Sequence, residues 1–463
     1  MAERTYDVVV IGGGAVGENA AGRAAQGGLT AALVDHERFG GECSYWACIP
    51  SKALLRPGNL LAAVRRMPGL AHDGRLLSEE VFARRDAFTS RGDDTAQLDW
   101  ARGAGVDPIR GHARITGERE VTLDDGTVLR ARHGVVVCTG SLPKKPDLEG
   151  LADVPVWTSR EATTASHVPG RLAVLGGGVV GVEMAQAWAR LGSEVHLIAT
   201  GPRPLPNFPD FVGEAVADGL RADGVRLHTE ASAERVSTVE SGVRVELAGG
   251  EHLDADELLV ATGRRPATDD VGLDVAGLSP GKPIEVDDTG LASGVDGGWL
   301  YAAGDVTGRA PLTHQGKYAA RVIGDVLTAK ARGDRIDTAP WSRYTATADH
   351  HAVPQVVFTD PEVASVGLRE ARSDDHRVLD LDIAVAGSAL TAENYTGRAR
   401  IVVDTRREVL LGVTFVGQDV AEMLHAATIA VVGEVPLHRL WHAVPVFPTI
   451  SEVWLRLLEA YGL

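Results

Sequence analysis

Residues Tyr6–Gly17 read YDVVVIGGGAVG. The run VVVI has the β-branched, apolar composition of a fully buried strand. Glycines follow, and then ENAAGRAAQGG reads as a helix. Gly12, Gly14 and Gly17 hold the spacing G-x-G-x-x-G. The first glycine permits a tight turn, the second lets the main chain approach a pyrophosphate, and the third lets helix and strand pack closely. The helix N-terminus then faces the phosphate charge. Such a triplet alone is a weak signal, and its place between a strand and a helix is what gives it weight.

The pattern returns. Residues 171–181 read RLAVLGGGVVG, followed by VEMAQAWARLG. Gly176, Gly178 and Gly181 repeat the first triplet at a constant offset of 164 residues. A second echo pairs VVVCTGS, residues 135–141, with LLVATGR, residues 258–264. Two similar α/β units therefore follow one another, each opened by a glycine-rich turn and closed by a strand ending in Thr-Gly. From about Pro354 the texture changes to alternating strand patterns, with helical segments near residues 421–432 and 452–461. The expected fold is α/β: two Rossmann-like dinucleotide-binding domains plus a C-terminal α+β dimerisation domain. The expected limits are 1–150 and 276–345 for the two parts of the first domain, 151–275 for the second, and 346–463 for the third.

Composition narrows the function. The chain has 463 residues, 44% apolar and 24% charged, with a formal net charge of -17. So acidic a surface repels nucleic acid and anionic lipid. No apolar run approaches the roughly 20 residues that span a bilayer. The opening MAERTYDVVVIGGG enters a strand pattern at once, without the features of a signal peptide. Three cysteines cannot make an extracellular disulfide framework. The expectation is a cytoplasmic protein that binds neither nucleic acid nor membrane.

The two glycine turns differ where a ribose would lie. Asp35 stands 21 residues after Gly14, where an acid accepts hydrogen bonds from an adenosine ribose. The same offset after Gly178 lands on Ala199, and Arg203 follows four residues on. An arginine without an acid suits a 2′-phosphate. The second site is therefore expected to prefer NADPH over NADH.

Two of the three cysteines stand five apart in GGECSYWACIPSK, residues 40–52. On a regular helix their Cα atoms would lie about 8–9 Å apart, beyond the roughly 7 Å limit of a disulfide. A bond between Cys43 and Cys48 therefore requires an irregular SYWA segment and a helix that starts near Cys48. Pro50 suits a first helical turn. A helix N-terminus and the charge of Lys52 both favour a thiolate at Cys48. Too few neighbouring His or Cys residues exist for a metal site here. Cys138, inside VVVC, reads as a small buried residue.

The ordered set of motifs resembles the class I pyridine nucleotide-disulfide oxidoreductases, the flavoproteins that include dihydrolipoamide dehydrogenase, glutathione reductase and mercuric reductase. The set comprises the first fingerprint, the cysteine pair, VVVCTGS, the second fingerprint with Glu183, LLVATGRRP, YAAGDVT, VPQVVFTDPEVASVG and PTISE. It covers nearly the whole chain. The resemblance implies a homodimer that carries FAD and uses NADP or NAD, with electrons passing from nicotinamide through flavin to a Cys43–Cys48 disulfide. The acceptor beyond is a small molecule, expected to be a disulfide. Cys48 would be the flavin-facing thiol and Cys43 the interchange thiol. Lys52 would lie near flavin N5 and pair with Glu183. Gly12, Gly14, Gly17, Asp35, Gly41, Ala113, Thr139, Gly140, Ser141, Gly304 and Asp305 would hold FAD. Gly176, Gly178, Gly181, Arg203 and Gly263 would hold the nicotinamide nucleotide.

One position departs from that family. Its members place a histidine before Pro-Thr-x-Ser-Glu as acid-base partner of the interchange thiol, and here the block reads Phe447-Pro448-Thr449-Ile450-Ser451-Glu452. Phenylalanine cannot transfer a proton, and such help is worth about 10²–10⁴-fold. His442 is the candidate displaced base, with Glu452 as its carboxylate or as a helix-start acid. The loss supports two other readings: a flavin-level reductase of quinones or other electrophiles, or a flavin-loaded binding partner within a complex. No cysteine follows Cys138, which weighs against the extra C-terminal pair of mercuric reductase.

Overall fold

The computed structural model describes residues 2–71 and 73–463. The chain divides into two compact units. Unit 1 gathers the residues up to Ile49, then Asp86–Pro143 and Arg264–His350. Unit 2 gathers Pro50–Arg85, Lys144–Gly263 and His351–Leu463.

Unit 1 is built on the first glycine turn. Strand β1 (Glu3–Ile11) leads into helix α1 (Ala15–Gln26), and β2 (Ala31–Asp35) returns parallel to β1 with Val8 opposite Ala31 and Ile11 opposite Val34. Further strands are β3 (Val106–Arg110), β4 (Ala113–Gly117), β5 (Glu120–Leu123) and β6 (Val128–Val137), in the sheet order β3-β2-β1-β6-β5-β4. The second half of β6 also pairs in parallel with Leu300–Ala302. Val8 to Val10 and Val135 to Val137 are wholly buried. A strand covered on both faces needs such a continuous apolar run, and each side chain of this kind contributes about 1.5–3 kcal/mol. The parallel register brings the ends of β1, β2 and β6 to one edge of the sheet, and Gly12 and Asp35 stand there.

The helix Thr313–Arg332 covers this sheet beside α1, and the two run in the same direction. A Cβ on Gly316 would meet Val16, one on Gly324 would meet Arg23, and one on Gly27 would meet Thr328. The pairing is clamped by Arg23, whose guanidinium donates to both oxygens of Asp325 at 2.8 and 3.1 Å. Small residues let the helices approach this closely, so the order of contacts along α1 is fixed.

Unit 2 contains the second copy. Its parallel sheet has the order Arg226–His228, Glu194–Ile198, Arg171–Leu175, Glu257–Val260, and the helix Val179–Leu191 follows the glycine turn. An antiparallel meander, Ala233–Val239, Gly242–Leu247 and His252–Ala255, completes this half. The later residues form a five-stranded antiparallel sheet, Pro354–Val357, Glu362–Gly367, Val409–Gly417, Arg398–Asp404 and His376–Asp382 in spatial order, with helices Leu424–Val432 and Val453–Tyr461. The expected α/β architecture with a C-terminal α+β part is the one observed. No helix among the described residues is long and apolar enough to cross a membrane.

Candidate functional site

The cysteines sit at the junction of two helices. A single helical turn, α2 (Gly41–Tyr45), holds Cys43, and α3 (Cys48–Arg65) begins at Cys48. The expectation of an irregular SYWA segment is corrected: Ser44 and Tyr45 are helical, and the break is confined to Trp46 (φ -134°) and Ala47. This break suffices to turn the two sulfurs toward each other. Both cysteines are thiols. The Cys43 thiol is pushed well above its ordinary range, first by its hydrogen bond to Cys48 and then by burial, while the Thr313 hydroxyl and the Lys317 charge pull it down. Thr313 Oγ1 also lies 3.3 Å from Cys48 Sγ. Cys48 stands at the N-terminus of a helix of 18 residues. Cys138 is buried, and burial pushes its thiol up to about 12, as an inert core cysteine requires.

Four residues along α3 from Cys48, Lys52 donates to Glu183 Oε2 at 2.7 Å. Glu183 is almost fully enclosed, and its other oxygen accepts from the Phe358 amide at 3.0 Å. The Lys52 ammonium also lies 4.8 Å from the Phe358 ring centroid. The lysine is thus anchored at its head by a buried carboxylate.

The first glycine turn is closely fitted. A Cβ on Gly17 would fall 1.8 Å from the Gly12 oxygen, and one on Gly41 would fall 2.8 Å from Gly14 Cα. Gly14 itself faces open space on the side its Cβ would take, with only Gly41 Cα at 3.8 Å. It caps α1 without a side-chain partner, so the helix amides stay available to an anion. Asp35 accepts from the Gly13 amide at 2.6 Å and from the Glu37 amide at 2.7 Å, which ties the ribose-position acid to the turn. Gly140 (φ +75°) likewise opens onto free space. Ser141 donates to Asp305 at 2.5 Å and accepts from Arg264 at 2.7 Å, and Thr139 donates to the Ala267 carbonyl at 2.7 Å. Gly304 starts the turn that carries Asp305, and Ala113 opens β4 in the core of the same unit. These residues fit an extended dinucleotide: open glycine backbone for the phosphates, an uncapped helix end, and acids held for hydroxyls.

The second turn repeats the first. A Cβ on Gly181 would fall 1.9 Å from the Gly176 oxygen, while Gly178 and Gly263 face open space. Arg203 is ion-paired with Asp210, and its Nε is buried without a hydrogen-bond partner. Counting a fixed offset from Gly178 found no acid and missed Asp210, which the chain brings back at the start of the helix Asp210–Ala222.

The C-terminal candidates lie apart in character. His442 is exposed in the turn after Leu437–Leu440, and Phe447 is 71% exposed. Glu452 ends a short turn just before Val453–Tyr461 and is buried, with Oε2 lacking a hydrogen-bond partner. Sequence reasoning missed Thr313, Lys317, Phe358 and Asp210. Of these, Thr313 and Lys317 were within reach, because PLTHQGK follows YAAGDVT and opens a helix.

Comparison with known proteins agrees with this geometry. Residues 6–329 match the family described as pyridine nucleotide-disulphide oxidoreductase, and residues 353–457 match its dimerisation domain. Similar curated proteins include a mercuric reductase of Staphylococcus aureus, 29% identical over 96% of this chain and 81% of the relative. A mercuric reductase of Shigella flexneri is 32% identical over 96% and 78%. A dihydrolipoyl dehydrogenase of Haloferax volcanii is 30% identical over 98% and 95%. The solved structure of the Cu(II) complex of RclA, an HOCl-induced flavoprotein disulfide reductase from Escherichia coli, superposes with a TM-score of 0.83 at 25% identity over 99% of both chains. The chain belongs to the pyridine nucleotide-disulphide oxidoreductase family, and it is an oxidoreductase that uses FAD and a nicotinamide nucleotide.

Proposed function

We propose that this enzyme draws electrons from NADPH and delivers them through the Cys43–Cys48 pair to a small disulfide. FAD, when bound, supplies the two-electron carrier between nicotinamide and sulfur. The chain's own residues do the rest. Cys48, at the α3 N-terminus, holds the flavin-facing sulfur, and Cys43 is the sulfur that meets the acceptor. Lys52, held by Glu183, keeps a positive charge one turn beyond Cys48. Gly12, Gly14, Gly17, Gly41, Asp35, Ala113, Thr139, Gly140, Ser141, Gly304 and Asp305 bind FAD within segments 1–150 and 276–345. Gly176, Gly178, Gly181, Gly263 and Arg203 bind NADPH within 151–275, with Arg203 exchanging Asp210 for the 2′-phosphate. Residues 346–463 pair two subunits, and the reducing cytoplasm is the compartment that suits a dithiol.

The hydrogen-bonded thiol pair at a helix start is the observation that carries this reading. A second reading, reduction of quinones directly from the flavin, is favoured by Phe447 at the family's histidine position. Transfer of a metal-ion substrate is the weaker case. RclA was solved as a Cu(II) complex, yet no cluster of three metal-binding side chains occurs among the described residues of this chain. A panel of disulfides, quinones, Cu(II) and Hg(II), read by NADPH consumption, separates the three. Cys43→Ser should cut disulfide turnover by at least 10²-fold and leave quinone turnover unchanged. Retained disulfide turnover in that variant would refute the relay.

A further inference from the structure

Within unit 2, α3 is joined by polar rungs to the helix Val179–Leu191, which follows the second glycine turn. Lys52 donates to Glu183 at 2.7 Å, and Arg190 Nη1 donates to Asn59 Oδ1 at 2.6 Å. Lys52 and Asn59 are seven residues apart, and so are Glu183 and Arg190. Seven residues make two turns, with a rise of about 10 Å. The two contacts are therefore matching rungs between helices that run in the same direction. Arg190 crosses α3 at Gly58, where a Cβ would fall 2.8 Å from its Cδ. Only glycine leaves room for that crossing.

The rungs are also tied to each other. The Phe358 amide donates to the second Glu183 oxygen at 3.0 Å, and the Phe358 carbonyl accepts from Asn59 Nδ2 at 3.3 Å. Hydrogen bonds thus run from Lys52 through Glu183 and Phe358 to Asn59, and α3 itself closes the circuit. Asp360 pins the same segment. Its amide donates to Gln186 at 2.8 Å, and its carbonyl accepts from Gln186 at 2.9 Å. One of its carboxylate oxygens accepts from Arg190 at 2.8 Å and the other from Arg66 at 3.0 Å. Arg190 Nε donates to Asp223 at 2.8 Å. The Arg190 and Asp360 side chains are only 8% and 9% exposed. Apolar packing would stabilise such a place at least as well as buried ions. What the polar set adds is a fixed register between the two helices.

We propose that Asn59 and Arg190 are positioning residues for Lys52. A lysine side chain is long and flexible, so one ion pair leaves its helix free to slide or turn. The second rung, two turns on, removes that freedom. Asn59 also holds Phe358, and Phe358 fixes the rotation of the Glu183 carboxylate that receives the Lys52 ammonium. Lys52 is thereby set at one level past the glycine turn of Gly176, Gly178 and Gly181. This role rests on the reading in which the Lys52 charge serves electron transfer from NADPH.

The test compares the flavin-loaded wild type with Asn59→Leu, Lys52→Met and the double variant. Asn59 is chosen because Arg190→Met would strand Asp223 and Asp360. Two quantities are read: the rate of flavin bleaching by saturating NADPH without oxygen, per bound flavin, and hydrogen–deuterium exchange of the Phe358 amide without NADPH. Asn59→Leu should slow bleaching by roughly tenfold, the scale of a small misplacement near a reacting centre. Its Kd for NADPH should stay within about twofold of the wild type, since the nucleotide contacts are untouched. In the Lys52→Met background the same substitution should cost less than about twofold, because residues acting through one contact do not add. The Phe358 amide should exchange at least about tenfold faster in Asn59→Leu, as local opening becomes easier. Asn59→Asp keeps the acceptor for Arg190 and loses the donor to Phe358, so it should fall between wild type and Asn59→Leu in both readouts. Equal slowing in the two backgrounds, or unchanged Phe358 exchange, would overturn the proposal. Wild-type bleaching in Lys52→Met would instead sink the role given to the lysine, and the proposal with it.

Discussion

At the scale of single residues, the site is a set of charges whose partners decide their worth. Glu183 has about 4% of its side chain exposed and accepts from only Lys52 and the Phe358 amide in the contacts described above. Lys52→Met should therefore destabilise the protein by about 1–3 kcal/mol, the cost of stranding a buried acceptor. Urea unfolding measures this, and a loss below about 0.5 kcal/mol would mean the pair behaves like a surface ion pair. Glu18 gives a pH signature of its own. Its carboxyl titrates near 4.3 when unfolded and is raised to about 7 in the fold. A raised carboxyl favours the folded state while protonated, so stability should fall as pH climbs through that window, by at most about 1.4 kcal/mol per unit. Glu18→Gln should flatten the slope in urea melts at pH 5 and pH 7.5, and an unaltered slope would show that Glu18 is solvated. Lys52 and Glu183 were legible in sequence through the motifs that carry them. Lys317 and Asp210 were not, because they act across helices whose packing order is set by small residues far from either motif.

At the scale of elements, the two glycine turns are duplicates with separable consequences. Gly17→Ala would drive a Cβ to 1.8 Å from the Gly12 oxygen, so α1 must move off β1. That variant should purify colourless or nearly so. Gly181→Ala meets the same obstacle at 1.9 Å in the second turn. It should keep its yellow colour and raise the KM for NADPH by at least tenfold. Equal loss of flavin in both variants would show that the turns do not serve different nucleotides. The strand-turn-helix units were readable because a fully buried strand and a close helix demand distinctive residues. The local course of residues 41–47 was less so. Cysteine spacing on an ideal helix requires only that the helix be interrupted if the two sulfurs are to bond, and the chain breaks at Trp46 and Ala47 while keeping Cys43 in a helical turn. Spacing rules report distance and say little about where a backbone spends its irregularity.

At the scale of the whole molecule, the C-terminal part leaves large apolar side chains exposed. Leu390, Ile429, Val444, Val446 and Phe447 are 57–81% exposed, within the residues that match the family's dimerisation domain. Val446→Asp should shift the protein from dimer to monomer in sedimentation velocity, and a monomeric wild type would contradict the pairing. Sequence texture announced this domain, but its exposed apolar residues stand out only once the strands hide the rest. The central claim is that reducing equivalents from nicotinamide arrive at the sulfur of residue 43. Alkylation of Cys43 before and after one equivalent of NADPH, without oxygen, tests it most directly. The oxidised enzyme should leave Cys43 unmodified, and NADPH should make it react fully, with no such gain when Cys48 is replaced by serine. Flavin that is bleached by NADPH while Cys43 remains unreactive would contradict the account.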